Sequence, residues 1–199
     1  MTEKLKNIIS GLTDQVGLVD FYIAEAAALL KQDSSFVICD LDDTLFGRKD
    51  QMQGEPELKK NRGYAGNTYM INEIGIHEMI RKYYMDTEYP QDILSRLTPE
   101  KTLLLTAGIP EYQQLKVRAM HLEKFPLQVV WEGKDKILET IRYVLFELKY
   151  IPSEIVIYED RPHFFIEYKD LIEGVLGTKL TIMYVEMDGN NGYKKIEEI

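Results

Sequence analysis

Residues 36–46 read F-V-I-C-D-L-D-D-T-L-F, and this stretch decides how the rest of the chain is interpreted. Its first four residues are uncharged and include β-branched members, a composition typical of a strand buried on both faces. Asp40, Asp42 and Asp43 then follow within four positions. An apolar core does not accept three like charges so close together unless solvent or a cation offsets them. The stretch predicts a buried strand that ends at a polar site, and the alternative is an acidic surface turn.

Length and composition limit the class of protein. A chain of 199 residues can build one domain with a full core. The net charge of −9 disfavours broad nucleic-acid binding, because such affinity comes mainly from Lys and Arg beside phosphates. Cys39 is the only cysteine, so no intrachain disulfide can form, and a reduced thiol in the cytoplasm is predicted. The sequence shows no signal-peptide character and no apolar run of membrane-spanning length, so we predict no membrane association.

The N-terminal region, residues 1–33, is predicted to be helical. Apolar residues recur three and four positions apart in it, which is the spacing of one helix face. The members of this stripe are Val16, Val19, Ile23, Ala27 and Leu30. We expect the stripe to pack on the sheet, and the alternative is a contact in a homodimer.

Beyond residue 101, apolar strands alternate with helical patterns. The predicted strands are residues 102–106, 127–131, 154–158 and 180–187, and residues 193–199 are predicted as a short edge strand. This alternation predicts an α/β fold: a Rossmann-like parallel sheet of about five core strands with helices on both faces. Residues 1–47 and 101–199 would form the core, and residues 48–100 a small, mainly helical cap insertion.

Each of the first four core strands is followed by polar groups. They are Asp40, Thr106, the turn Glu132-Gly133-Lys134, and the pair Glu159-Asp160. In an open parallel sheet, the ligand crevice lies beyond the carboxyl ends of the strands. The four groups are therefore expected to meet in one place.

These motifs resemble those of the haloacid dehalogenase superfamily, whose members are mostly Mg²⁺-dependent phosphohydrolases. The first motif is Asp40-x-Asp42-x-Thr44 after an apolar strand, and the second resembles Leu103-Leu104-Leu105-Thr106. The run Ala107-Gly108 with Gln113 and Lys116 is similar to one found in members with a helical cap. Residues 155–160 resemble the fourth motif of the superfamily, although the residues that follow, Arg161-Pro162-His163, depart from the commoner form of that motif.

The resemblance implies a role for each matched residue. Asp40 would attack phosphorus and form an aspartyl-phosphate, and Asp42 would act as general acid and base. Thr106, Ala107 and a lysine would bind the phosphoryl group; for the lysine we prefer Lys134 slightly over Lys136. The cofactor would be Mg²⁺, held by Asp40, the backbone carbonyl of Asp42 and Asp160, with Glu159 as an alternative ligand or as a residue that supports the ligands.

The insertion carries tyrosines close to basic residues. Lys60, Arg62 and Tyr64 could attract phosphate and stack a base, and His163 could reach the pocket mouth. These residues suggest a small-molecule phosphate ester, a nucleotide or a nucleic-acid end as substrate. The alternative is that the tyrosines only build a cap core.

Two competing functions remain open at this point. One is a metal-free carbon–halogen hydrolase of the same superfamily, which Asp42 and the Glu159-Asp160 pair disfavour, since that chemistry protonates no leaving oxygen. The other is a catalytically inactive binding or regulatory protein on the same scaffold, because a fold alone does not prove turnover.

Overall fold

The computed structural model describes residues 16–47, 64–85, 89–188 and 192–199. Six strands form one sheet: β1 Lys31–Cys39, β2 Thr102–Ala107, β3 Leu127–Val130, β4 Ile151–Glu159, β5 Lys179–Met187 and β6 Tyr193–Glu198. Their order across the sheet is β3-β2-β1-β4-β5-β6. All neighbouring pairs are parallel except β5 and β6, which are antiparallel. The predicted parallel α/β sheet and its short edge strand are confirmed.

Eight α-helices accompany the strands in the described part of the chain. They are α1 Val16–Ala28, α2 Tyr64–Ile74, α3 Ile76–Tyr83, α4 Gln91–Leu94, α5 Pro110–Ala119, α6 Asp135–Tyr143, α7 His163–Glu167 and α8 Lys169–Leu176. A 3₁₀ turn, Pro99–Lys101, precedes β2, and a π-helical segment, Val144–Leu148, continues α6. The helix α8 ends at Gly177, whose φ of 63° is left-handed and favours glycine.

The two faces of the sheet bury separate apolar clusters. Phe36 and Ile38 of β1 contribute to one cluster, together with side chains of α1, α6 and α8. Cys39 of β1 and Leu104 of β2 contribute to the other, with side chains of α2, α3 and α5. Successive residues of a strand point to opposite faces, so one short apolar run supplies both clusters. The prediction of helices on both faces is confirmed.

The start of β1 differs from the prediction. The sequence indicated a helix to residue 33 and a strand from Phe36, whereas the helix ends at Ala28 and the strand begins at Lys31. The added strand residues are polar and mostly exposed, so they carry no apolar pattern. Backbone pairing with β4, which begins opposite Lys31 at Ile151, extends the strand.

The buried face of α1 also differs in part from the prediction. Among the α1 side chains that the structure describes, Tyr22 and Ala26 are buried and Ala27 is exposed, and Leu30, beyond the helix, is 79% exposed. The side chains of Val16 and Val19 lie outside the described residues. Ile23 packs beside the cluster as expected. The helix therefore packs on the core as predicted, through a face that includes Ile23 but not Ala27.

The described part of the insertion is helical. Helices α2 and α3 meet at Gly75, whose φ is 83°, and Met79, Tyr83 and Tyr84 are buried in the same cluster as Phe46. The division of the chain into a core and a cap stays a prediction.

Candidate active site

The register of the sheet brings three carboxylates together. Cys39 of β1 lies opposite Tyr158 of β4, so the residues that follow them, Asp40 and Glu159, are neighbours. The backbone N–H of Asp40 donates to the Tyr158 carbonyl at 3.0 Å. One carboxylate oxygen from each of Asp40, Glu159 and Asp160 lies within 4.8 Å of the other two. The predicted meeting of the β1 and β4 ends is therefore observed.

Lys136 joins two of these carboxylates. Its ammonium lies 2.9 Å from Oδ1 of Asp40 and 2.7 Å from Oε2 of Glu159, and all three side chains are buried. The lysine is in the first turn of α6, and the Thr140 hydroxyl donates to its backbone carbonyl at 2.8 Å. Asp160 pairs instead with the exposed Arg161, at 3.3 Å. Lys136 thus pairs with two of the three acids and Arg161 with the third.

The electrostatics of the cluster follow from burial. Desolvation raises the pKa of Asp40 to about 7 against the lowering effect of Lys136, and Glu159 adds to the rise. Burial also raises the pKa of Asp160 to about 6, and the neighbouring Asp40 contributes. The pKa of Glu159 is raised by burial and opposed by Lys136. Burial alone would lower the pKa of Lys136, but Asp40 and Glu159 outweigh it and raise that pKa.

The two candidate lysines lie in different surroundings. We preferred Lys134, but its side chain is 51% exposed and its ammonium pairs with Glu132 at 3.0 Å. Lys134 lies just before α6, whereas Lys136 lies within the first turn, and only the latter points at the acids. The structure therefore places Lys136 at the cluster and Lys134 at the surface.

Asp42 occupies a neighbouring position with different partners. Its Oδ2 accepts a hydrogen bond from Lys116 Nζ at 2.5 Å and from Gln113 Nε2 at 3.1 Å. Both donors come from α5. Its carboxylate is not part of the cluster formed by Asp40, Glu159 and Asp160. The metal contact that we expected from its backbone carbonyl stays a prediction.

The end of β2 provides the residues expected to bind phosphate. Thr106 is buried, and the Ala107 carbonyl accepts a hydrogen bond from Gln113 Nε2 at 3.1 Å. Gly108 follows with a φ of 145°, and a Cβ there would lie only 3.0 Å from Gln113 Nε2. Because β2 pairs with β1, Thr106 lies at the same edge of the sheet as Asp40.

Of the residues predicted to contact substrate, the structure describes the side chain of His163 and not those of Lys60, Arg62 and Tyr64. Lys60 and Arg62 lie outside the described residues, and so does the side chain of Tyr64, whose backbone begins α2. His163 is exposed at the start of α7, with its ring 4.0 Å from that of Phe164. None of these positions tests the substrate prediction.

The ion pair between Lys116 and Asp42 was not predicted. The motif resemblance includes Lys116, and this residue also lies four residues after Tyr112, on the same helix face. The side chains of Tyr112 and Lys116 are buried, while those of Leu115 and Ala119 in the predicted apolar stripe are only partly buried. The sequence signal for a buried Lys116 was its position four residues after Tyr112, a predicted core residue of the same helix.

Comparisons with protein-family models, with curated proteins and with solved structures found no match to this chain. Within the described ranges, no helix is both long enough and apolar enough to cross a bilayer. The fold and site define an α/β protein with an acidic cluster at the carboxyl ends of parallel strands. Membership of the haloacid dehalogenase superfamily stays a prediction from the motifs.

Proposed function

We propose that this protein is a Mg²⁺-dependent phosphomonoester hydrolase that works through an aspartyl-phosphate on Asp40. The observation that carries the proposal is the group of Asp40, Glu159 and Asp160 carboxylates, with Lys136 against it, at the ends of β1 and β4. Carboxylate oxygens suit a hard divalent cation. Their spacing is comparable with the roughly 4 Å between opposite ligands around Mg²⁺. The donor set thus fits the metal that the motifs imply.

Asp40 is the proposed nucleophile. Its carboxylate oxygen would form a bond to phosphorus as the bond from phosphorus to the leaving oxygen breaks. A bound magnesium ion would supply positive charge that offsets the repulsion between this carboxylate and the phosphate ester. The residues that would hold it are Asp40, Glu159 and Asp160, and the backbone carbonyl of Asp42.

Asp42 is the proposed proton carrier. It would give a proton to the leaving oxygen and then take one from the water that attacks the phosphorus of the aspartyl-phosphate. That attack restores the Asp40 carboxylate and releases inorganic phosphate. This role rests on the motif resemblance; the Asp42 side chain is 26% exposed, its Oδ1 is buried, and its Oδ2 accepts hydrogen bonds from Lys116 and Gln113.

The phosphoryl oxygens need positive and hydrogen-bonding groups around them. Lys136 would supply charge, and Thr106 with the backbone at Ala107 would supply hydrogen bonds. Lys136 already lies beside the nucleophile, so it could contact the same phosphoryl group that Asp40 attacks.

The substrate class rests on the sequence alone. We propose a soluble phosphate ester, with a nucleotide or nucleic-acid end favoured by Lys60, Arg62 and Tyr64. A cytoplasmic location and a homodimer contact are likewise predictions. A catalytically inactive binding protein is the runner-up, and measured turnover separates the two.

The test is phosphate release from a panel of phosphomonoesters, nucleotides and end-phosphorylated oligonucleotides, with Mg²⁺ or with a chelator. Asp40→Asn should lower release by at least about 1,000-fold, because it removes the nucleophile. Asp20→Asn, an exposed position on α1, is the matched control and should leave release unchanged. Release that survives both Asp40→Asn and the chelator would contradict the proposal.

A further inference from the structure

Lys116 is a buried cation that has no role in the mechanism described above. Its side chain is 0% exposed, whereas that of its partner Asp42 is 26% exposed. The ammonium therefore lies behind Asp42, on the side away from solvent. Because its ammonium contacts Oδ2 of Asp42, Lys116 would contribute to the reaction through Asp42.

Three aromatic rings enclose the ammonium of Lys116. The ring centroids of Tyr112, Tyr84 and Phe46 lie 4.6, 5.5 and 5.6 Å from Nζ. The hydroxyl oxygens of Tyr84 and Tyr112 are 2.8 Å apart, so these two rings are also joined to each other. A cation among ring faces is attracted to them, and the attraction is larger where water is excluded. The cage fixes the position of the lysine.

The cage draws on three parts of the chain. Phe46 follows the acidic turn, Tyr84 follows α3 in the insertion, and Tyr112 belongs to α5. Burying a lysine in such a place is costly unless a charged partner compensates it. The charged partner here is Asp42, the acid that in our mechanism transfers a proton first to the leaving oxygen and then from the attacking water.

Gln113 reinforces the same geometry. Its Nε2 donates to Oδ2 of Asp42, the oxygen that Lys116 also contacts, and to the carbonyl of Ala107. Two donors on one carboxylate oxygen, both from α5, restrict rotation of the Asp42 side chain. General acid–base catalysis depends on such placement within hydrogen-bond reach.

We propose that Lys116, held among Phe46, Tyr84 and Tyr112, is a positioning residue that fixes the Asp42 carboxylate for proton transfer. The inference rests on the proposed function and deepens it. It assigns to α5 and to the insertion a part in catalysis that requires no contact with substrate.

The test is a double-mutant cycle on Lys116→Met, Asp42→Asn and the combined variant. Lys116→Met should lower kcat for glycerol 2-phosphate about 100-fold, within the range of a lost general acid, and change KM less than about threefold. The loss with 4-nitrophenyl phosphate should be smaller, because that leaving group needs little protonation. The combined variant should be no slower than Asp42→Asn alone, since both changes remove the same step.

The controls separate positioning from damage to the fold. Arg118→Met removes an exposed cation from the same helix and should leave both reactions unchanged, and Lys116→Arg should restore part of the lost kcat. Equal losses on the two substrates, or losses that multiply in the combined variant, would overturn the positioning role. Crystal structures of the wild type and Lys116→Met provide a readout without turnover: we expect the Asp42 carboxylate to move, and an unmoved carboxylate would overturn the proposal.

Failure of the proposed hydrolase function can be distinguished from failure of the Lys116 proposal. A wild-type protein without Asp40-dependent hydrolysis overturns that function and the catalytic role of Lys116 together. The crystallographic comparison then still decides whether Lys116 holds Asp42.

Discussion

The ammonium of Lys136 lies 2.9 Å from Oδ1 of Asp40, and both side chains are buried. The pair connects the first turn of α6 to the end of β1, two elements almost 100 residues apart in sequence. A buried charge pair of this kind makes each member costly to remove.

Replacing Lys136 with methionine should destabilise the protein and abolish activity. The change leaves Asp40 and Glu159 buried without their shared cation, which costs about 3–5 kcal/mol in the free energy of unfolding. Phosphate release should fall at least about 100-fold, because the positive charge of Lys136 that would contact the phosphoryl group is lost. Urea unfolding and a phosphate-release assay measure the two effects.

Lys134→Met is the matched control for that prediction. Its ion pair with Glu132 is exposed, so solvent screens it and the free energy of unfolding should hardly change. If Lys134→Met were the more damaging variant, the placement of Lys136 at the site would be wrong.

The stability of the metal-free protein should fall as the pH rises from about 4 to about 8. Asp40 and Asp160 have folded-state pKa values of about 7 and about 6, above the value near 4 of an unfolded aspartate. The folded state therefore binds more protons in this window, and its advantage is lost as the pH passes through the folded pKa values. Urea unfolding in chelator at pH 5, 6.5 and 8 measures the slope.

Two comparisons isolate the carboxylates in that experiment. Asp40→Asn should flatten the slope, because it removes one of the shifted groups and also the Asp40 charge that helps to raise the pKa of Asp160. Mg²⁺ should stabilise the wild type more at pH 8 than at pH 5, since it binds the ionised carboxylates. An identical slope in the wild type and Asp40→Asn would refute the assignment.

Gly108→Ala should be more damaging than Gly75→Ala. Both glycines have positive φ, 145° and 83°, so alanine is strained at either position. Only at Gly108 does the added Cβ meet another group, Gln113 Nε2 at 3.0 Å; at Gly75 nothing lies within 4 Å. We expect a loss of about 1 kcal/mol at Gly75, from the backbone alone, and about 2–4 kcal/mol at Gly108.

Chemical denaturation of the two glycine variants measures this difference. Gly108→Ala should also lower phosphate release, because displaced Gln113 no longer donates to Asp42. Equal destabilisation of the two variants would show that the contact with Gln113 has no effect.

The thiol of Cys39 should be unreactive in the folded protein. It is 0% exposed, and burial, with the neighbouring acids, raises its pKa well above the usual value, so little thiolate forms. Ellman's reagent should react with it only after unfolding in urea. Rapid reaction of the native protein would contradict the burial of β1.

The described structure shows which parts of the site the motifs could specify. Asp40 and Glu159 were predicted to meet because both follow apolar strands of a parallel sheet, and strand ends in such a sheet share one edge. The motif order could not distinguish Lys134 from Lys136. That choice depends on where α6 begins, and helix starts shift by a residue or two without a strong local signal.

Other differences have the same origin. The polar residues Lys31–Ser35 became strand because β4 pairs with them, and no pattern within these residues indicates it. In α1, Tyr22 and Ala26 are buried and Ala27 is exposed, because the helix turns the first two towards the core cluster. Periodicity locates an apolar face only as closely as its ambiguous residues allow.

The sequence by itself determined the α/β class, the parallel sheet and the acidic ends of its strands, because strand and helix periods are local properties of the chain. Only the tertiary structure decided which cation faces which acid: Lys136 with Asp40, and Lys116 with Asp42. Ion pairs between distant residues depend on strand register and on the orientation of whole helices. These are set by packing across the molecule, and no short stretch of sequence contains that information.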